Sequence, residues 1–123
     1  MILGLGIDVT EVARIAASHT RFGRRFLERI LTPQEIAAMP RQSGTWLAGR
    51  FAAKEAAVKA LGTGFSQGIG PVHVEVVHTP LGGPQLRFHG PALKQAETLG
   101  VRQSRLSISH ERLVAVAVVI LED

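Results

Sequence analysis

Apolar runs at the two ends of the chain predict β-strands. Residues 2–7 (ILGLGI) form an apolar, glycine-interrupted run that leads into Asp8. Such a run predicts a buried strand that ends at a carboxylate. Near the other end, 113–121 is nine residues without a charge and rich in valine. It predicts a central strand that is either covered on both faces or completed by a subunit interface.

The first third of the chain predicts three short helices. Thr10 can cap a helix that begins at Glu11 and turns Ile15 inward. A second helix is indicated by aromatic and aliphatic residues recurring every four positions, namely Phe22, Phe26 and Ile30. A capping-box pattern with proline at the first helical position starts a third helix at 32–35 (TPQE), and Pro40 marks its stop.

Residues 45–61 predict the longest helix. The segment is rich in alanine and other good helix formers, and Gly62 followed by Gly64 supplies its C-terminus. At about 100° per residue, Lys54 and Glu55 fall at the two edges of an apolar face. That face is formed by Leu47, Phe51 and Val58.

The second half of the chain predicts a hairpin, a helix and a further strand. Residues 72–78 alternate like a strand, 82–84 (GGP) form a turn, and 85–88 return as a second strand. A helix is predicted at 91–99, and the alternation at 106–109 predicts a strand. Because strands and helices interleave without regular βαβ spacing, we expect an α+β fold with a mainly antiparallel sheet packed with the long central helix.

Length and composition indicate one cytoplasmic domain. The 123 residues match a single domain spanning 1–123, and 46% apolar against 20% charged residues supports a buried core rather than disorder. No apolar run reaches the roughly 18 to 20 residues of a membrane span, and no secretory leader is recognisable. The absence of cysteine excludes disulfides, thiolate nucleophiles and cysteine zinc sites.

The positive charge is concentrated in the first half of the chain. The formal net charge is +4; residues 1–60 carry 9 basic and 5 acidic side chains, whereas 61–123 carry 5 of each. This distribution predicts a face that meets a polyanion, an acidic protein or a phosphate-rich ligand. An ordinary soluble surface with scattered arginines is the alternative.

Two carboxylates are candidates for a divalent-cation site. Asp8 stands where an apolar strand is predicted to end, and Glu55 lies beside the apolar face of the long helix. One or two carboxylates, waters and substrate phosphates are a usual shell for Mg²⁺. The structural alternatives are that Asp8 caps the following helix and that Glu55 forms an ordinary i,i+4 pair with Lys59.

The basic and glycine residues near the long helix suit phosphate. Lysine is scarce in this chain, yet Lys54 and Lys59 both lie on that helix, and the fork of Arg50 suits bidentate contact with a phosphate. A solvated helix edge is the alternative. The segment 62–64 (GTG) either lets backbone approach phosphate oxygens or only caps the helix. Five histidines show no metal-ligand spacing. His110 follows a predicted strand, where it either meets a ligand or lies in a surface turn.

Three motifs together resemble the holo-acyl-carrier-protein synthase family of phosphopantetheinyl transferases. They are GLGIDV at 4–9 with Arg14-Ile15, RFAAKEAAVKALGTG at 50–64, and SISH at 107–110. The middle block is highly specific, and the order and spacing match over essentially the whole chain. The turn at 79–84 (TPLGGP) departs from the family's usual polar turn, which makes nucleotide contacts from that turn doubtful, although Pro84 still matches.

The resemblance implies Mg²⁺-dependent transfer of 4′-phosphopantetheine from coenzyme A to a serine of apo acyl carrier protein, with release of 3′,5′-ADP, in support of fatty acid biosynthesis. Asp8 and Glu55 match the metal carboxylates, and Lys59 matches the lysine that meets the pyrophosphate. Glu55 is the first candidate to accept the serine proton and Glu35 the weaker one. The residues that match the nucleotide pocket are Arg50, Gly62, Gly64, Pro84 and His110.

The resemblance also implies a partner surface and an oligomer. Acyl carrier proteins are acidic, and the basic helical surface that docks them matches Arg14, Arg21, Arg24 and Arg25. A homotrimer with active sites shared between neighbouring chains is implied as well.

Two functions of other classes are alternatives. A pI near 10.7 favours a small RNA-binding module, but tyrosine is absent, Trp46 is single, and the phenylalanines at 22, 26 and 51 fit core faces rather than a stacking platform. A degenerate trimer that only binds carrier protein is disfavoured by Asp8, Glu55 and Lys59 occurring together. We therefore expect neither nucleic acid nor membrane as a partner.

Overall fold

The computed structural model describes all residues from 1 to 123 and contains five strands and five α-helices. In chain order they are β1 (Ile2–Glu11), α1 (Val12–Phe22), α2 (Arg24–Ile30), α3 (Pro33–Ala37), α4 (Gly44–Leu61), a 3₁₀ turn (Pro71–His73), β2 (Val74–His78), β3 (Pro84–Phe88), α5 (Gly90–Leu99), β4 (Gln103–His110) and β5 (Val114–Glu122). None of the helices has the length and apolar character that a bilayer crossing requires.

Antiparallel pairing builds two sheets, which confirms the predicted α+β class. The larger sheet has the order β1-β5-β4, and the hairpin β2-β3 forms the smaller one. The valine-rich strand β5 is central, as predicted, but only one of its faces is covered within the chain. That face is fully buried and consists of Ala115, Ala117, Val119 and Leu121.

The opposite face of the larger sheet is apolar and open. Leu5, Ile7 and Val9 of β1 are each more than half exposed, and they pair with Ile120, Val118 and Val116 of β5. Of the two expectations for the valine-rich strand, coverage on both faces within the chain is therefore wrong. An apolar surface of this kind is typical of a subunit interface.

Helix α4 lies directly on β1 because two glycines leave room for it. A Cβ on Gly4 would stand 2.1 Å from the carbonyl oxygen of Ala60, and one on Gly6 only 1.9 Å from that of Ala56. Since alternate residues of a strand share a face, the inward positions of β1 are Gly4, Gly6, Asp8 and Thr10. The glycine spacing therefore brings the Asp8 side chain against the helix.

The start of α1 differs from its prediction. Strand β1 continues through Asp8 to Glu11, because Thr10 and Glu11 still pair with Ala115 and Val114 of β5. Thr10 is fully buried in the strand and donates its hydroxyl to Asp8 Oδ2 at 2.7 Å, so it does not cap the helix. Helix α1 begins at Val12 without a side-chain cap.

Smaller boundaries differ too, while most local predictions are confirmed. Phe22 ends α1 at 52% exposure and does not belong to α2. Residues 71–73 form the 3₁₀ turn instead of starting β2. The capping box at Thr32 and Glu35, the hairpin, α5 and the extent of α4 with Gly62 as its left-handed C-cap are all confirmed.

Lys54 lies in the core rather than at a helix edge, and this corrects its predicted placement. Its side chain is fully buried. Its ammonium donates to Glu35 Oε1 at 2.7 Å and to the carbonyl oxygens of Pro71 and Val74 at 3.0 and 2.6 Å. Burial lowers the pKa of Lys54, and Glu35 counteracts this by its charge and its hydrogen bond. The ion pair thus ties α4 to α3 and β2.

Candidate active site

The first part of the site lies where β1 meets the C-terminal half of α4. Lys59 Nζ is 3.2 Å from Asp8 Oδ1 and donates to the carbonyl oxygen of Ile7 at 3.0 Å. The Asp8 side chain is only 15% exposed, whereas that of Lys59 is half exposed. Because Asp8 is held within β1 and accepts from Thr10, the expectation that it caps a helix is wrong.

Glu55 lies one helical turn before Lys59 and shares its side of α4. Burial raises the pKa of Glu55, the charge of Asp8 raises it further, and Lys59 and Arg14 lower it. Asp8 on the inward face of β1 and Glu55 on α4 therefore lie near each other, where the strand packs on the helix at Gly6 and Ala56. Lys59 forms its ion pair with Asp8, and no Glu55–Lys59 bridge is present, so the predicted i,i+4 pair is not formed.

The carboxylate oxygens of Asp8 and Glu55 are suitable ligands for a hard divalent cation. The charge of Asp8 raises the pKa of Glu55, and Lys59, which pairs with Asp8, offsets this only in part. No cluster of three or more histidine, cysteine, aspartate or glutamate side chains offers a complete protein cage. Mg²⁺ is commonly held by one or two carboxylates, with waters and substrate phosphates as its other ligands.

A second part of the site is a cleft on the other side of α4. The cleft has a volume of about 540 Å³, and Arg50, Pro84 and His110 are among its lining residues. None of the eleven lining residues is acidic. Its charged and titratable groups are Arg50 and the histidines 78 and 110, so the cleft suits an anionic ligand.

Arg50 is held in this cleft by two neighbours that the sequence did not single out. One of its terminal nitrogens, Nη2, lies 3.1 Å from His78 Nδ1, and its guanidinium carbon lies 4.5 Å from the ring centroid of Trp46. The side chain is buried, and its Nε has no hydrogen-bond partner. Burial lowers the pKa of Arg50, an effect that the charge of Glu35 opposes. No local pattern marks these contacts.

The two parts point in different directions within one chain. Arg50 and Lys59 are nine residues apart, which places them on opposite sides of α4 and about 13 Å apart along its axis. The residues matched to the nucleotide pocket therefore divide into two groups. Gly62 and Gly64 lie at the C-terminal end of α4 beyond Lys59, and Arg50, Pro84 and His110 lie at the cleft.

The segment 62–64 acts as a helix cap. Gly62 and Gly64 have φ of 83° and 60°, a region that favours glycine. The amide of Gly62 donates to the carbonyl oxygen of Lys59, and those of Thr63 and Gly64 donate to that of Val58. These N–H groups are therefore engaged, and a phosphate would gain space from the missing side chains rather than hydrogen bonds.

Glu35 is placed by the structure in the core and away from Asp8. It is 3% exposed and accepts hydrogen bonds from Lys54, Thr32 and the amide of Val76. With both carboxylate oxygens occupied, it is not free to take up a proton from a substrate. The weaker of the two proton-acceptor candidates is therefore wrong, and Glu35 supports the fold instead.

The four predicted docking arginines, together called the arginine surface, are all exposed and lie on the consecutive helices α1 and α2. Arg14 lies close enough to Glu55 to lower its pKa, so this surface adjoins the carboxylate pair. Arg21 lies over the ring of Phe22 at 5.1 Å, and Arg24 lies 3.6 Å from Glu28. Beside Arg25, a cleft of about 400 Å³ opens between the two helices, lined by both aromatic and basic side chains.

Comparison with known proteins gives one consistent result. The family model described as 4′-phosphopantetheinyl transferase superfamily matches residues 4–117. The holo-[acyl-carrier-protein] synthase of Desulfovibrio desulfuricans is 64% identical over 122 residues, covering 99% of this chain and 98% of the relative. That of Nitratidesulfovibrio vulgaris strain DP4 is 56% identical over 123 residues, with 99% of both chains covered.

Solved structures agree with these relatives. The holo-[acyl-carrier-protein] synthase of Neisseria meningitidis superposes with a TM-score of 0.91 at 38% identity, covering 100% of both chains. The Helicobacter pylori synthase, solved in complex with coenzyme A, superposes with a TM-score of 0.85 at 31% identity, covering 96% of this chain and 99% of the other.

Proposed function

Because the chain belongs to the 4′-phosphopantetheinyl transferase superfamily and within it to the holo-[acyl-carrier-protein] synthases, we propose that it transfers 4′-phosphopantetheine from coenzyme A to apo acyl carrier protein. The serine oxygen of the carrier forms a bond to the phosphorus that bears pantetheine. The bond from that phosphorus to the bridging pyrophosphate oxygen breaks, and 3′,5′-ADP leaves. We assign this activity to a single domain spanning 1–123.

The observation that carries the proposal is the carboxylate pair Asp8 and Glu55 beside Lys59. These two carboxylates would hold Mg²⁺, and the bound cation would offset the negative charge of the coenzyme A pyrophosphate and of the departing 3′,5′-ADP. Lys59 adds a mobile positive charge next to the same space, since its ammonium is half exposed. Phosphoryl-type transfer depends mainly on such positioning and charge stabilisation.

Glu55 is the proposed acceptor of the serine proton. Its pKa is raised by burial and by Asp8, so its ionised form binds a proton more readily than an ordinary glutamate. Asp8 accepts hydrogen bonds from Thr10 and Lys59 and is better suited to holding the cation in place. With Glu35 engaged in the core, no second candidate competes for this role.

A homotrimer with shared active sites would join the two parts of the site. Arg50, Pro84 and His110 would take the nucleotide end of coenzyme A bound at the carboxylates of a neighbouring chain, near Gly62 and Gly64. This arrangement is supported by the opposite directions of Lys59 and Arg50 on α4 and by the open apolar face of the larger sheet. Contacts from the 79–84 turn beyond Pro84 are not part of the proposal.

The arginine surface is the proposed docking site for acidic acyl carrier protein. Opposite charges steer encounter and raise the on-rate more than the final affinity. We therefore expect Arg14→Glu combined with Arg21→Glu to slow transfer at low carrier concentration while coenzyme A binding stays nearly intact. The measurements are initial rates against carrier concentration and calorimetric titration with coenzyme A. Equal losses in both would contradict the docking assignment.

We further propose a cytoplasmic role in fatty acid biosynthesis, which supplies the carrier protein as substrate. The direct test of the whole proposal is intact-mass spectrometry of an apo acyl carrier protein incubated with this chain, coenzyme A and Mg²⁺. We expect a phosphopantetheine-sized mass gain that is lost with a chelator and lost in an Asp8→Ala, Glu55→Ala double variant. If several carriers stay unmodified although coenzyme A binds, a binding-only role replaces catalysis.

A further inference from the structure

His78 ends β2 and is exposed at the rim of the cleft, yet its imidazole contacts the buried guanidinium of Arg50. Nη2 of Arg50 lies 3.1 Å from His78 Nδ1. Because a guanidinium has only donors, His78 must accept this hydrogen bond. Its Nδ1 is therefore unprotonated, and its proton lies on Nε2.

The contact decides which way the Arg50 guanidinium faces. Glu35 lies in a small pocket behind Arg50, lined also by Trp46 and His78, and its charge acts on Arg50. Both oxygens of Glu35 are already occupied by Lys54, Thr32 and Val76. Glu35 therefore attracts the guanidinium from behind by its charge alone, whereas His78 offers it a hydrogen-bond acceptor on the cleft side.

We propose that His78 is a positioning residue that holds Arg50 over Trp46 in the orientation that receives the nucleotide of coenzyme A. This inference rests on the proposed function. His78 fixes one edge of the guanidinium and Trp46 supports its face, while Nε is left buried and unpaired. A guanidinium held in place before the ligand arrives loses less freedom when it binds.

The test is calorimetric titration of the full chain with 3′,5′-ADP at about pH 8, where an imidazole is neutral. We expect His78→Ala to raise the Kd about five- to tenfold, the equivalent of one lost hydrogen bond. His78→Asn retains an acceptor close to the position of Nδ1 and should stay within about twofold of the wild type. His19→Asn on α1 is the matched control and should bind as the wild type does.

Transfer kinetics add a readout that general loss of structure does not produce. In His78→Ala we expect the KM for coenzyme A to rise with the Kd while kcat is unchanged, because the carboxylate pair is untouched. Thermal unfolding of each variant checks that the exposed substitution leaves the fold intact.

The outcomes separate this inference from the proposed function. If His78→Ala binds 3′,5′-ADP as tightly as the wild type, the role of His78 is wrong and the proposed function stands. If His78→Asn loses as much affinity as His78→Ala, the acceptor is not what matters and the positioning role is overturned. If the wild type does not bind 3′,5′-ADP at all, both the nucleotide cleft and the role of His78 are wrong.

Discussion

Gly6→Ala tests whether the backbone contact between β1 and α4 sets the distance across the carboxylate site. The added Cβ would stand 1.9 Å from the carbonyl oxygen of Ala56, and real Cβ contacts stay above 3.0 Å. The strand and the helix must therefore separate by at least about 1 Å. Neither partner can yield by rotating a side chain, because the obstacle is helix backbone.

The separation acts on Asp8, which lies two residues further along the same inward face. A movement of about 1 Å would carry Asp8 away from Glu55 on α4; the half-exposed Lys59 ammonium can follow Asp8, but the separation of the two carboxylates changes by about that amount. Misplacement of this size can cost about 10²-fold in rate. Overpacking against backbone should also cost about 3 kcal/mol, which lowers Tm by roughly 10 °C.

The assay pairs initial rates of phosphopantetheine transfer with thermal unfolding, and rates are taken well below the variant's Tm. Gly44→Ala is the control, because its Cβ would meet only Val12 Cγ1 at an ordinary 3.6 Å at the start of α4. We expect that control to keep its rate and to be unchanged or up to about 1 kcal/mol more stable. A Gly6→Ala protein with wild-type rate and Tm would refute the reasoning.

Three further predictions concern charge and assembly. Glu55→Gln should abolish transfer yet raise Tm in chelator at neutral pH. Because the folded-state pKa of Glu55 is raised, its ionisation lowers stability as pH rises, so the gain in Tm should vanish below about pH 4. An equal gain in Tm at both pH values would contradict this. Lys54→Met should cost about 3–5 kcal/mol in urea unfolding by leaving Glu35 buried and unpaired; adding Glu35→Gln should recover part of the loss, and strict additivity would contradict the pairing. Ile7→Asp on the open sheet face should give a monomer by light scattering and lose transfer, whereas an unchanged mass would argue against that interface.

Local signals were confirmed where no distant strand competes with them, and they failed where one does. The capping box at Thr32 and the glycine after α4 act within one turn of helix, and both are present. Thr10 carries an equally good capping signal, but pairing with β5, over a hundred residues later in the chain, extends the strand through it. At Thr10, the hydrogen bonds of the sheet outweigh the local preference for a helix start.

The candidate site shows the same limit. Periodicity predicted Lys54 at a helix edge. Its partner Glu35 lies 19 positions earlier in the chain, so the helix sequence alone does not indicate the ion pair that buries Lys54. His78 lies 28 positions from Arg50 and shows no metal-ligand spacing, so only the folded chain relates them. The resemblance named Asp8, Glu55 and Lys59, and the structure brings these three together.

The contact of β1 with α4 also bears on how such a chain can diverge. Because Gly4 and Gly6 meet the carbonyl oxygens of Ala60 and Ala56, the spacing between Asp8 and α4 is set by peptide groups, which every sequence shares. No side chain of β1 separates the strand from the helix at these two contacts. We therefore expect that sequences of this fold can diverge without moving Asp8 relative to α4, provided that Gly4 and Gly6 are kept.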